Sequence, residues 1–440
     1  MKGDSSSQSS VVEKNNAPAV RSRPTAASAA KLYNQIFDSE SPENVINTLP
    51  AQTLYTLVKD RGIESSLELL ELIPINTFRT FLDFELWQKD SFNEDNLWNW
   101  LQLSDDEDPL KHTQRVLKSI DLKLLALLVG KHVQVQVFDE KSETPPGPAW
   151  FTPDQGYTWL FVNLEDTDKH FHLNRLLALL YETSSDLFYQ ILSIPTVSTL
   201  TQLEEEAFVD RSKRLASEGV PEPEQYIEIN TSIFPYQIKE ELQTLTSTPK
   251  PTDIPVVEPV IAMASNGKLD PLDSAINQSV DFEVLQAELT LIMNASLQFF
   301  DIPFYDVELI KLHAKKVKGA INIGLEKAIS FEICSALDCI DKLNLTKLYR
   351  LGLYELRAMQ KPLKKIQIDE IKAHQSDPAV FSIIANLREI FPAIPEFFDK
   401  NGKISKNEFG VLDTTSKAIE HFEEIKVISY YLADTLKIPN

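Results

Sequence analysis

An internal repeat near the N-terminus constrains the fold of this 440-residue chain more than any other feature. The segments LPAQTLYTLV (49–58) and IPINTFRTFL (73–82) align without a gap at an offset of 24 residues. Each copy opens with an apolar residue and a proline, which suits the first turn of a helix. Three apolar residues then follow at helical spacing: Leu54, Leu57 and Val58 in the first copy, and Phe78, Phe81 and Leu82 in the second. The segment IESSLELLELI between the copies is a second amphipathic pattern, so the repeat predicts helix pairs that bury their faces by stacking.

The rest of the chain also favours helix, with a small β element in the first half. Glycine occurs only 12 times, while leucine, isoleucine, glutamate and lysine are plentiful. HVQVQVF (132–138) alternates strictly and predicts a strand. AWFTPDQGYTWLFVN (149–163) has two aromatic, β-rich runs around Pro-Asp-Gln-Gly and predicts a β hairpin.

The domain organisation follows from composition. Residues 1–29 are rich in Ser, Ala, Asn and Pro and predict a disordered tail. Residues 30–230 form the first helical domain, with the hairpin near 149–163. Residues 231–280 hold STPKPTDIPVVEPV without a clean period, which predicts a Pro-rich linker or surface excursion. Residues 281–440 form a C-terminal helical domain, so the predicted fold class is mainly α: two helical halves with stacked helix pairs and a small β hairpin in the first half.

The net charge and the two cysteines limit the classes of partner and the cellular compartment that we expect. The formal net charge of −22 repels phosphate backbones and anionic lipid, so we expect neither nucleic acid nor membrane as a partner. The N-terminal stretch has no apolar core typical of a signal peptide, and the apolar runs are too short to span a bilayer. Cys334 and Cys339 stand five apart in a helical pattern and therefore on different faces. We predict that both are reduced and buried, in a cytoplasmic protein.

Two segments resemble metal sites, and we predict no metal and no cofactor at either. FFDKNGKISKNEF (397–409) resembles an EF-hand loop anchored on Gly402, but the first ligand position holds Phe397, which cannot coordinate calcium. A loop with an Asn-Gly turn is the favoured alternative. DTDKHFH (166–172) would place His170 and His172 on one side of a strand, whereas a solvated loop and helix cap is the favoured alternative.

Two arginines are the candidate anion-binding residues. In DRSKRLASEG, Arg211 and Arg214 stand near the end of an acidic helix. They either serve the helix dipole and pair with glutamates 204–206, or form an anion pocket. Nearby, LDFELWQKD sets carboxylates around Trp87, a pattern that is typical of helix caps more often than of an acid–base pair. No Gly-rich phosphate loop, Gly-x-Ser-x-Gly or His-Glu-x-x-His motif is present in the sequence.

Lys and Arg outnumber Asp and Glu by about two to one within residues 311–372. In so acidic a chain this bias predicts a dipolar charge distribution. We expect these cations either to form a solvated face or to dock onto the molecule's own acidic half.

Several segments together resemble one bacterial family of unknown function. They are LPAQTLYTLVKDRG, LDFELWQKD, GPAWFTPDQGYTWLFV, RSKRLASEGVPEPEQY, INIGLEKA and LTKLYRLGLYELR. In this order they resemble domain-of-unknown-function family 6178, from about residue 45 to the C-terminus. The N-terminal helix pairs are also similar to the cytosolic N-domain of bacterial magnesium channels, in fold only. The family implies no activity, and its motifs map onto candidate residues without roles: Trp87, Asp90, Arg211, Arg214, Leu215, Gly219, Pro221, Arg350 and Gly352.

Two functions are consistent with these patterns. The leading hypothesis is a cytoplasmic scaffold that binds another protein, because stacked helix pairs present an extended groove. The alternative is an enzyme with an anion-binding site between the two helical halves, using Arg211, Arg214 and nearby carboxylates. A deep polar cleft that gathers those residues would favour the enzyme, and a shallow apolar groove would favour the scaffold.

Overall fold

The computed structural model of the protein describes residues 26–103, 110–244, 272–273, 282–360, 388–391, 393–395 and 409–411. The calcium-like loop at 397–408, most of the predicted linker and the predicted tail up to residue 25 lie outside these ranges. The helices of the first half are α1 (Ala26–Phe37), α2 (Pro42–Asn47), α3 (Ala51–Arg61), α4 (Leu67–Leu72), α5 (Ile75–Glu85), α6 (Glu94–Gln102), α7 (Lys111–Ser119), α8 (Leu122–His132), α9 (Thr167–Thr183), α10 (Ser185–Val197) and α11 (Leu200–Ser217). Those that follow are α12 (Pro223–Ile229), α13 (Pro235–Thr244), α14 (Phe282–Phe299), α15 (Val307–Ile329), α16 (Ala336–Lys342) and α17 (Leu345–Met359). The mainly α prediction is confirmed.

The repeat forms the two helices that it predicts. The six aligned apolar side chains of α3 and α5 are all buried. Pro50 and Pro74 stand at the N-caps, one residue before the predicted first turn, and both have φ near −57°. Their carbonyl oxygens accept the first helical bonds, from Leu54 and from Phe78 among others. The segment between the copies is a short 3₁₀ turn (Glu64–Ser66) followed by α4.

Strand pairing differs from the predicted hairpin. The strands are β1 (Trp87–Gln88), β2 (Ser91–Phe92), β3 (Val133–Val137), β4 (Thr158–Val162), β5 (Ala393–Pro395) and β6 (Phe409–Val411), in three antiparallel pairs. β3 is confirmed, but it is the partner of β4, whereas the run at 149–153 adds a single bridge, Phe151 to Leu160. The chain leaving β3 stays beside β4, because Phe138 N–H donates to Tyr157 at 2.8 Å. The Pro-Asp-Gln-Gly turn is therefore a tight bend at the start of β4, and only one bridge of the expected hairpin forms.

Two hydrophobic cores divide the described residues. The first is built from α1 to α11 with β4, and the second from α12 to α17. Part of the predicted linker, Pro235–Thr244, forms α13 and buries Ile238 and Leu242 in the second core. Ile229 of α12 also lies in the second core, although the sequence places it at the end of the first domain. The second core thus begins before residue 230.

Cations of the basic region pair with acidic residues of the preceding segment. Lys318 Nζ lies 2.7 Å from Asp273, Arg350 lies 3.0 Å from Glu228, and Lys347 pairs with Glu241. Their partners thus lie in residues 228–273 rather than in the first half. These contacts fasten the segment around α12 and α13 to α15 and α17.

The prediction of two reduced cysteines is wrong in this structure. Cys334 and Cys339 form a disulfide, with their Cα atoms 5.7 Å apart. The expectation assumed one helix across both residues, but α16 begins at Ala336, so Cys334 lies before the helix and can approach Cys339. The argument for a reducing compartment from the cysteines therefore does not hold.

Phe81→Ala should lower the free energy of unfolding by about 3–5 kcal/mol, because the ring is fully buried and its removal leaves a cavity. Urea denaturation measures the change. Phe171→Ala is the control, since Phe171 is 59% exposed and its loss should change stability by less than ~0.5 kcal/mol. If the two variants changed the free energy of unfolding equally, the prediction that the apolar stripe of the repeat is buried would be contradicted.

Stability should fall in acid because of His313. Its ring is buried and hydrogen-bonded to Ser296 Oγ at 2.6 Å, and burial lowers its pKa to about 3. The unfolded chain, in which a histidine has a pKa near ~6.5, binds a proton that the folded chain does not bind between those two pH values. The free energy of unfolding should therefore drop by ~2 kcal/mol on this account between pH 7 and pH 5. In urea denaturation at both pH values, the His313→Asn variant should lack this decrease in the free energy of unfolding. If the variant shows the same decrease as the wild type, His313 is not its cause.

Candidate functional site

A cleft of about 450 Å³ lies between the two halves of the molecule. The first half lines it from the end of α5, the β1–β2 turn and α11, and the second half from the segment that joins α14 to α15. Its polar lining includes Tyr55, Lys59, Glu85, Lys89, Arg211, Gln298, Asp301 and Tyr305. The site therefore depends on both halves being in contact.

Contacts beside the cleft hold the halves together. Asn294 of α14 donates to the carbonyl of Gly219 at 3.0 Å, just past the end of α11. Thr56 of α3 donates to the carbonyl of Phe304 at 3.3 Å, and the Phe304 ring lies 5.0 Å from that of Phe84. The repeat helices α3 and α5 thus form the floor against which the second half packs.

Arg211 is a buried cation with free donors. Its side chain is 8% exposed, and Nε donates to the main-chain carbonyl of Asp83 at 2.7 Å. The guanidinium carbon lies 5.6 Å from the Trp87 ring and 5.8 Å from the Phe208 ring. Its two terminal nitrogens have no hydrogen-bond partner within the described ranges. Burial lowers the pKa of Arg211 to about 10, against the opposing effect of Asp83, so the group stays charged at neutral pH.

Two other residues that line the cleft carry buried polar atoms without a partner within the described ranges. Trp87 Nε1 and Gln298 Oε1 are buried and have no hydrogen-bond partner among the described residues. Both side chains line the cleft with Arg211. Since most buried polar atoms in proteins are hydrogen-bonded, these two unpartnered atoms call for an explanation.

Glu85 is engaged by its neighbours. The Tyr55 hydroxyl donates to Glu85 Oε1 at 2.5 Å, and Lys59 Nζ lies 2.7 Å from the same oxygen. Lys59 also lies 4.6 Å from the centre of the Tyr305 ring. Burial, and after it the charge of Glu85, raises the pKa of Tyr55 well above its usual value, so the phenol stays a donor. With Glu85 compensated by Lys59, Arg211 and Lys89 exceed the single charge of Asp301, and the cleft is cationic on balance.

Backbone strain marks the rim. Lys89 has φ 59° and Asp301 has φ 56°, both in the left-handed region that costs a side chain about 1 kcal/mol or more. Lys89 is the first residue of the two-residue turn between β1 and β2, where glycine is favoured. No local pattern predicts a role for Lys89, because a Lys-Asp pair is not a recognised turn signature.

Arg214 does not line the cleft. Its Nε and Nη2 each donate to one carboxylate oxygen of Asp83 at 2.8 Å, and Nη1 donates to Asp121 at 3.0 Å. The predicted pairing of both arginines with glutamates 204–206 is wrong: Glu204 accepts from the main chain of Phe92 at 2.8 Å. Those glutamates precede the arginines by too many turns of α11, while α5 and α8 bring carboxylates beside Arg214.

Of four other motif candidates, Trp87, Asp90, Gly219 and Pro221, only Trp87 lines the cleft. Trp87 lies beneath Arg211, whereas Asp90 is exposed in the β1–β2 turn. Gly219 has φ 79° and terminates α11 in a Schellman motif, in which Val220 N–H donates to Leu215 at 3.0 Å. Pro221 follows where the chain cannot remain helical.

Arg350 and Gly352 belong to the second core rather than to the cleft. Arg350 Nε donates to the carbonyl of Thr231 at 2.8 Å. A Cβ on Gly352 would come within 1.8 Å of the Ala320 carbonyl, so this glycine allows α15 and α17 to cross closely. Both residues therefore serve packing.

At 166–172 the favoured helix cap forms, and the alternative of two histidines on one side of a strand does not. Residues Thr167–Thr183 form α9, with Asp166 as its N-cap, so His170 and His172 point in different directions. The part of the chain that the structure describes holds no group of three or more His, Cys, Asp or Glu suited to a metal ion. Within the same ranges, every helix is too short or too polar to cross a membrane.

One family model covers nearly the whole sequence. The model described as "Family of unknown function (DUF6178)" matches residues 12–436. The chain belongs to this family. The DUF6178 match extends across both halves and so includes every residue of the cleft. No curated protein and no solved structure matches the chain, and the expected similarity to magnesium-channel N-domains therefore finds no support.

Arg214→Gln should destabilise the protein by about 3 kcal/mol, because it leaves the buried Asp83 carboxylate without its cation. Urea denaturation measures the loss. Lys213→Gln is the matched control, since Lys213 is exposed on the same helix and its loss should cost less than ~0.5 kcal/mol. If Arg214→Gln left the free energy of unfolding unchanged, the ion pair with Asp83 would not be what holds α11 in place.

Proposed function

We propose that the cleft between the two halves binds a small anionic molecule through Arg211. The observation that carries this proposal is a buried guanidinium whose terminal nitrogens lack partners in the described part of the chain. A buried charge without full hydrogen bonding is costly, and an anionic ligand removes that cost. Because the planar guanidinium matches two oxygens at once, a carboxylate or a phosphate is the group it fits.

The remaining lining supports a ligand with an apolar or flat body. Small-molecule sites have volumes of about 300–1,000 Å³, and the cleft lies within that range. Its walls carry the aromatic rings of Phe84, Trp87, Phe208, Tyr226 and Phe304. Trp87 and Gln298 also line the cleft, and each carries a buried polar atom without a partner among the described residues.

The enzymatic alternative rests on Glu85. Held between Tyr55 and Lys59, its carboxylate lines the cleft and is the candidate for proton transfer to a bound anion. Binding comes before any such step, so the anion site is tested first. The scaffold role expected from the stacked helix pairs stays a prediction, and identification of proteins that co-purify with the chain tests it.

Isothermal titration with inorganic phosphate, pyrophosphate and a panel of mono- and dicarboxylates tests the anion site. At least one should bind, and Arg211→Gln should weaken it about tenfold to a hundredfold, since a charge-assisted bond contributes ~1.5–3 kcal/mol. Lys213→Gln removes the same charge outside the cleft and should leave affinity unchanged. Unchanged affinity in a folded Arg211→Gln variant would refute the assignment.

Lys89→Gly separates a binding role from a structural one. Relief of the left-handed backbone should raise the free energy of unfolding by about 1 kcal/mol, while loss of the cation should weaken the same anion. Thermal unfolding and titration measure the two effects on one variant. A gain in stability with full affinity would exclude Lys89 from the site.

A further inference from the structure

Strand β3 has one open edge. Within the described ranges it pairs with β4 alone. The carbonyl of His132 accepts from Asn163, and Phe138 N–H donates to Tyr157, both at 2.8 Å. Main-chain groups alternate in an antiparallel ladder, so even-numbered residues of this segment bond to β4, and the N–H and C=O groups of Val135 and Val137 point to the open edge.

Nothing in the strand blunts this edge. Natural proteins protect edges with charged residues, prolines or bulges, because an open ladder templates pairing with another chain. β3 reads Val-Gln-Val-Gln-Val, with none of these devices and a regular register along β4. Val135 is 37% exposed and Val137 is 71% exposed. The edge therefore has the properties of a strand that is paired in the functional molecule.

An apolar groove accompanies the edge. The three valines share one face, opposite Tyr189, Leu192 and Pro195 of α10, around a cavity of about 390 Å³. A strand added at the edge would place its own apolar side chains over the end of this groove. Extended main chain with alternate apolar residues is thus the occupant that the surface fits.

The sequence of β3 is complementary to itself. It reads identically in both directions about Val135. In an antiparallel pair with a second copy, Val135 faces the partner's Val135, and Val133 faces the partner's Val137. On the opposite face Gln134 meets the partner's Gln136, so amide pairs with amide and valine with valine.

The hydrogen bonds also close. The two central valines exchange a pair of bonds, and each Val137 N–H donates to the partner's Val133 carbonyl. Val133 N–H needs no partner there, because it already donates to the Val129 carbonyl at the end of α8. All outward-pointing N–H groups of the edge are then satisfied.

We propose that the protein forms a two-fold dimer by antiparallel pairing of β3 with β3, centred on Val135. The result is a four-stranded sheet in the order β4, β3, β3, β4, with the two apolar grooves side by side. A two-fold contact uses the edge of both copies and closes on itself, so assembly stops at the dimer. This assembly is independent of the anion site, which lies at the junction of the two halves.

Sedimentation equilibrium of the full chain tests the proposal. The wild type should approach twice the chain mass of 49.9 kDa with rising concentration. Val135→Lys and Val135→Glu should each sediment as monomers, because like charges meet at the axis. Mixed in equal amounts, the two variants should form the dimer again. Val209→Lys, on an exposed position of α11, is the control and should stay dimeric.

Val137→Pro gives a second test that spares the β3–β4 ladder. It removes an N–H that points to the open edge, at a position 71% exposed, and should also yield monomers with a normal melting temperature. A wild type that stays monomeric at every concentration overturns the proposal, even if it binds an extended peptide. The proposal is also overturned if Val135→Lys and Val135→Glu each remain dimeric. It is equally overturned if an equal mixture of these two variants remains monomeric.

Discussion

The bond between α5 and α11 at Asp83 is the interaction on which the arrangement of the site depends. The Asp83 carboxylate receives two bonds from Arg214, and its main-chain carbonyl receives one from Arg211. Both arginines lie on α11, so Asp83 in the last turn of α5 holds that helix against α5, while Arg214 also bonds to Asp121 at the start of α8. The end of α11 then leads through Gly219 to the contact with Asn294 of the second half. Displacement of α11 would therefore open the cleft and remove a packing partner of α5, which forms part of the cleft floor.

Three residues apart on one helix, the two arginines are in opposite energetic situations. Arg214 has carboxylates on two sides and is satisfied within the fold. Arg211 is more deeply buried but meets a carbonyl dipole and two aromatic faces, which stabilise a cation less than a carboxylate does. A fold that needed both groups only for stability would pair both. This unequal pairing is the basis for proposing a binding role for Arg211 while Arg214 serves packing.

The sequence was informative wherever a local pattern decides the outcome. The repeat helices, β3 and the Gly219 cap follow from spacing and from glycine's access to positive φ. The predictions that the structure contradicts depend on contacts between residues distant in sequence. Asp83 lies 131 residues before Arg214, and no local pattern relates the two. Cys334 was misread because the start of α16 at Ala336 decides whether it can approach Cys339. Among the residues that line the cleft, sequence motifs point to Arg211 and Trp87. Lys89, Gln298 and Asp301 belong to no recognisable local pattern.

The distribution of cations explains why the cleft can attract an anion in a chain of net charge −22. In the second half, Lys318, Lys347 and Arg350 are paired with carboxylates of the segment before α14. Those pairs neutralise part of the positive charge of that half. In the cleft the opposite holds, because Lys59 compensates Glu85 and Arg211 keeps its charge behind walls that exclude much of the solvent. Salt and solvent screen a buried charge less than exposed ones, so the proposed attraction between Arg211 and an anion at short range is reduced less than the repulsion from distant exposed carboxylates.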